Sequence, residues 1–139
     1  MEPGQILFRK KPHILDTSGY LENVTIYTNG IKAWFHFTDK NGKMPSVTYY
    51  KTGGELKFVP KEDIVKIYRY KYFLYKEPKK PTGFHLETKD NEICLIKRGL
   101  YGKYYNEILN ALKKCFGIRW DEIFDKKILI DLESMKIQR

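Results

Sequence analysis

The stretch that most constrains this chain is residues 103–116, KYYNEILNALKKCF. Tyr105, Ile108, Leu109, Leu112, Cys115 and Phe116 recur at spacings of three and four, which puts them on one face of a helix. Asn106, Glu107, Asn110, Lys113 and Lys114 fall on the other face. Gly117 follows and can take the left-handed conformation that ends a helix, while Lys113 and Lys114 set positive charge beside the last-turn carbonyls. So short a helix is marginal alone, and its apolar face must cover something, with Leu109 and Leu112 expected near the centre. What precedes it reads almost entirely as strand. A β-rich domain closed by this helix is the expectation.

The strands follow in order. Residues 6–9 form a first strand, ended by Pro12, and residues 13–19 a loop. Residues 20–37 read as a hairpin turning at Asn29-Gly30, where both residues readily take positive φ. Ile31, Ala33, Phe35 and Phe37 share one side of the return strand, and Lys32, Trp34 and His36 the other. A turn at residues 38–43, a strand at 46–51 and a strand at 56–59 ended by Pro60 come next. In IVKIYRYKYFLY, residues 64–75, the apolar phase shifts, and a bulge or bend near Ile67 reconciles the two registers. Residues 84–88 and 92–97 make a last hairpin around Lys89-Asp90-Asn91. After Gly117 a short helix, IRWDEIFD, is expected. Residues 126–139 fit a strand through Ile128, Ile130 and Leu132, or a helix through Ile128, Leu132 and Met135.

At 139 residues this is one domain by length, with a core over residues 6–116 and an extension over 118–139. The net charge of +9 favours anionic partners: nucleic acid, acidic protein surfaces or lipid head groups. Cys94 and Cys115 do not make a disulfide framework and read as inert buried thiols. No apolar run reaches membrane-spanning length and the N-terminus lacks a signal-peptide core, so the expected location is the cytoplasm.

Catalytic chemistry is not visible. His13, His36 and His85 have no metal-type spacing with each other or the cysteines, so neither a metal nor a cofactor is expected. Ser18, Ser46 and Ser134 lie in no nucleophile motif. The paired carboxylates Glu62-Asp63 and Asp121-Glu122 suit turns and helix starts better than acid–base work. No catalytic residue is assigned.

Positive charge does have an organisation. Lys66, Arg69, Lys71, Lys76, Lys79 and Lys80 run along one strand and its loop, interleaved with aromatic residues including Phe73 and Tyr75. Lysines and arginines could hold phosphates there while Phe73 and Tyr75 stack on bases. The structural alternative, an edge strand protected by its lysines, is the preferred reading.

About seven strands followed by one amphipathic helix is an order that resembles the pleckstrin-homology-like fold, particularly its small prokaryotic and GRAM-like branch. VTIYTNGIKAWF, FVPKEDIVKIYRY and GFHLETKDNEICLI, with the helix, carry the resemblance, which covers residues 6–116. It implies two bent antiparallel sheets, a sandwich or partly open barrel, closed at one end by the helix, and a binding role rather than catalysis. The family's phosphoinositide pattern of basic residues in the first hairpin is not evident, because the tight turn has only Lys32 beside it. The expected function is a non-enzymatic binding or scaffolding module contacting a protein partner or an anionic surface. The alternative is a single-stranded nucleic-acid binder using the basic-aromatic strand and loop.

Overall fold

Among the described residues seven strands precede the main helix: β1 (Ile6–Lys10), β2 (Val24–Tyr27), β3 (Gly30–Phe37), β4 (Gly54–Pro60), β5 (Ile64–Phe73), β6 (Gly83–Thr88) and β7 (Glu92–Lys97). Then come α1 (Tyr105–Phe116), a short helix α2 (Trp120–Ile123), and two further strands, β8 (Phe124–Asp131) and β9 (Lys136–Gln138). This computed structural model describes residues 1–10, 24–37, 54–73, 83–97, 104–131 and 136–138. The turn expected at 38–43 and the strand expected at 46–51 lie outside the described residues, as does the loop at 13–19.

Two antiparallel meanders make up most of the sheet. The first runs β1-β2-β3-β4 and the second β5-β6-β7. They join at the end of β3, where His36 pairs with Ile93 of β7 on one edge and Gly54 of β4 on the other. β2 therefore holds the start of one β3 edge and β7 its end. The result is a mostly antiparallel, partly open barrel, with α1 packed over its inner face.

The inner face is a single core. Val24, Ile26, Ile31, Ala33, Phe35, Val59, Ile64, Ile67, Phe84, Leu86, Cys94 and Ile96 from the strands meet Ile108, Ala111, Leu112, Cys115 and Phe116 of α1. Each large apolar side chain buried there contributes about 1.5–3 kcal/mol. Leu112 is completely buried, whereas Leu109 packs at the rim and is only partly covered. The core also takes in Trp120 and Ile123, so the segment after Phe116 begins as part of the domain interior. Gly117 ends α1 at φ 55 and ψ −124, a positive-φ conformation outside the left-handed helical well that suits glycine alone.

Irregularities let the pattern fit the sheet. Ile64 and Ile67 are three apart, so a regular strand would send them to opposite faces. Two β5 steps against one β6 step, from Ile64↔Thr88 to Lys66↔Glu87, make a bulge at Val65 that turns both isoleucines inward. The bulge lies two residues before the expected place. A second one in β1, between Ile6 and Phe8, brings Leu7 as well as Phe8 against the core.

The first hairpin turns one residue earlier than expected. Tyr27 pairs with Gly30, so Thr28 and Asn29 form its loop and Gly30 already belongs to β3. Among the described residues positive φ occurs at Asn91 and Gly117, not at Asn29 or Gly30. Gly30 is needed for closeness instead: a Cβ there would lie 2.5 Å from the Val59 carbonyl oxygen and from the Phe58 ring. The β6–β7 loop follows expectation, with Asn91 at φ 62 and its N–H donating to the Thr88 carbonyl at 3.1 Å.

Of residues 126–139, those described are strand. β8 pairs with β5 in parallel, and β9 folds back on β8. Arg119 ties the start of this segment down, donating to the carbonyls of Lys61 at 2.9 Å and Ile64 at 3.1 Å.

Candidate anion-binding surface

Strand register sorts the charged residues by face. Phe8, Ile26, Ile31 and Val59 point into the core, so their neighbours Arg9, Thr25, Lys32 and Phe58 point outward. Arg9 pairs with Thr25, Thr25 with Lys32, and Lys32 with Phe58, so these four form one row across β1, β2, β3 and β4. Arg9 and Lys32 are exposed, while Thr25 between them is buried. Beside the row Tyr27 meets Phe58 edge-on, ring centroids 5.6 Å apart. Two exposed cations on either side of Thr25, on a face that also carries the Tyr27–Phe58 ring pair, make a site that could receive an anion such as a phosphate group. No motif in the sequence marks it. Arg9 and Lys32 each follow a core residue in a strand, which is a signal of outward placement, but only register sets them on either side of Thr25.

The basic strand looks different from the expectation. β5 is hydrogen-bonded to β6 on one side and β8 on the other, so it is an interior strand and needs no lysines to guard an edge. Lys66 pairs with Glu87 on the outer face and is half-buried. Arg69 pairs with Phe84 of the inner face and is exposed, its guanidinium 6.0 Å above the Phe124 ring. Trp120 stacks on that same ring at 4.3 Å. Lys66 and Arg69 thus lie on opposite faces. Lys71 and Phe73 stand in β5 opposite Leu129 and Asp131. Tyr75, Lys76, Lys79 and Lys80 lie outside the described residues.

The histidines, distant in sequence, come close in space. His36 lies in the outer row with Ile93, Glu87 and Lys66, and His85 in the next row between Leu95 and Tyr68. Both rings are buried, at 1% and 0% exposure, and His85 Nε2 is 3.4 Å from the Glu87 carboxylate. Burial, with His85 adding its charge, pushes the His36 imidazole down to about 3, so it is neutral at ordinary pH. Cys94 and Cys115 belong to the inner core, so thiols and imidazoles face away from each other. Burial raises both thiols, Cys115 to about 11, which keeps them protonated and unreactive. Among the described residues no group of three or more His, Cys, Asp or Glu is placed to hold a metal ion, and no helix is long and apolar enough to cross a membrane.

No family model matches this sequence, and comparison with curated proteins and with solved structures gives no match either.

Proposed function

We propose that this protein is a non-enzymatic binding or scaffolding module of pleckstrin-homology-like fold that contacts an anionic surface or a protein partner through the outer face of β1–β4. The observation that carries the reading is the Arg9–Thr25–Lys32–Phe58 row, two exposed cations held one strand apart by register on a protein of net charge +9. Two antiparallel meanders followed by a closing helix support the fold assignment. β8 and β9 add to what that resemblance implies. The buried histidines do not argue for catalysis, because rings at 1% and 0% exposure cannot meet a substrate in this state.

Single-stranded nucleic-acid binding through β5 has less behind it. Lys66 and Arg69 are on opposite faces, and the Phe124 ring beneath Arg69 is already engaged by Trp120. Titration of the protein against anionic vesicles and labelled oligonucleotide, each at low and high salt, tests the proposal. Binding to the vesicles that weakens with salt supports it. Tighter binding to the oligonucleotide transfers the function to the alternative. Binding to neither at low salt leaves the protein-partner half alone.

A further inference from the structure

The tip of the first hairpin carries a chemical feature independent of any binding role. Asn29 precedes Gly30, and an asparagine before glycine is the dipeptide in which the side-chain amide is lost most readily, because glycine leaves the following backbone nitrogen unobstructed. That nitrogen attacks the asparagine Cγ, its proton leaves with the side-chain nitrogen as ammonia, and a cyclic imide forms. Water then opens the imide to aspartate or isoaspartate. The attack needs the carboxamide to swing over its own backbone toward the Gly30 nitrogen.

In this fold the swing is blocked. The Asn29 Nδ2 donates to the Glu2 carbonyl at 2.9 Å, and its Oδ1 accepts from the Gly4 N–H at 2.7 Å. Thr28 adds two bonds to the same segment, donating from its N–H to the Gln5 carbonyl at 2.9 Å and accepting the Gln5 N–H on Oγ1 at 3.2 Å. On the backbone side the Asn29 carbonyl accepts the Lys61 N–H at 3.0 Å, and Gly30 is paired with Tyr27 and with Pro60. Gly4 fits only as glycine, since a Cβ would lie 2.5 Å from Thr28 Oγ1.

We propose that Asn29 is a latent deamidation site guarded by residues 2–5, and that guard and modification exclude each other. While the segment is docked, both polar ends of the carboxamide are held and the imide cannot form. Once the amide is lost, an anionic oxygen takes the place of the Nδ2 donor and faces the Glu2 carbonyl, so the segment is released. Isoaspartate would also lengthen the backbone inside the turn and misplace the carbonyl that Lys61 uses.

The test follows amide loss at Asn29 by peptide mass spectrometry in warm, mildly alkaline buffer below the unfolding temperature. The intact protein is compared with its Gly4→Pro variant, which lacks the donating N–H. A second Asn-Gly pair in the chain, Asn41-Gly42, serves as the internal reference. Loss at Asn29 should run about tenfold faster in the variant, the effect of one or two ordinary hydrogen bonds on a local opening equilibrium, while loss at Asn41 stays unchanged. Asn29→Asp reads the other direction: the Thr28 amide should exchange its hydrogen faster. Equal rates at Asn29 in both proteins, or loss in the intact protein as fast as in an unstructured TNGIK peptide, would overturn the guard. Unaltered Thr28 exchange in Asn29→Asp would overturn the release.

Discussion

Lys57 of β4 and Glu92 of β7 form an ion pair, Nζ to Oε2 2.5 Å, although β3 lies between their strands. Both residues stand on the core side at the end of the barrel, where the two meanders join. Burial disfavours the Lys57 ammonium, but the bond and charge of Glu92, with the nearby Glu55, outweigh it and hold its pKa above the ordinary value. Glu92 is almost covered, and Lys57 is about one-third exposed.

Glu92→Gln should therefore cost about 1–2 kcal/mol in urea unfolding, less than a fully buried pair because Lys57 keeps access to water. Replacing Lys57 by Met should cost more than Glu92→Gln, since it leaves the covered carboxylate unpaired. A Lys57→Met/Glu92→Gln double variant close to the milder single one would show that the two groups act as a unit.

The helix face makes a graded prediction. Leu112→Ala should cost roughly 2–5 kcal/mol through lost transfer energy and a residual cavity. Leu109→Ala should cost distinctly less, since Leu109 packs at the rim. Thermal or denaturant unfolding reads both. Equal costs would put Leu109 inside the core with Leu112.

His36 gives the protein an acid-sensitive stability. Its folded pKa is about 3 against 6.5 unfolded, so between those values the unfolded chain binds a proton that the folded chain refuses. Stability from this group is complete above pH 6.5 and falls as pH drops toward 3, at up to about 1.4 kcal/mol per pH unit. Urea midpoints measured across that window should show this slope, and His36→Gln should flatten it. An unchanged slope in the variant would mean that other groups carry the acid sensitivity.

Two glycines separate crowding from backbone strain. Gly30→Ala should cost about 1–3 kcal/mol because its Cβ would strike the Val59 carbonyl and the Phe58 ring. Gly117→Ala meets nothing within 4 Å, so its cost, about 1–3 kcal/mol, comes from φ 55 alone. Because ψ −124 lies outside the left-handed well that asparagine tolerates, Gly117→Asn should lose about as much as Gly117→Ala, and Gly30→Asn at least as much as Gly30→Ala, measured by thermal unfolding.

Local pattern carried much of this fold in advance. The three- and four-residue spacing in α1, the alternation in β3 and the Asn91 turn are properties of neighbouring residues, and the structure contains each of them. The turn sits one residue before the Asn-Gly pair because tertiary contacts decide it: Asn29 holds the N-terminal segment and Gly30 admits β4. Residues 126–139 fitted two periods, and only the β5 partner chooses between them. The site was less legible than the fold. Clustering in sequence points to β5, whose successive residues alternate between faces, whereas Arg9 and Lys32 are distant in sequence and come to flank Thr25 only through the register of three strands.

Charge reversal at Arg9 and Lys32 tests most directly whether this row contacts an anionic surface. Affinity for anionic vesicles at low salt is measured for the intact protein, for Arg9→Glu/Lys32→Glu and for Lys79→Glu/Lys80→Glu. The two double variants change net charge equally, so only position distinguishes them. The row variant should lose at least about tenfold in affinity, since each basic residue at such a surface contributes about 1 kcal/mol, and the loop variant should lose less. The unfolding midpoint of the row variant should stay close to that of the parent, because Arg9 and Lys32 are exposed. Equal losses in both variants would mean that the surface reads net charge alone, and a larger loss in the loop variant would move the site away from Arg9 and Lys32.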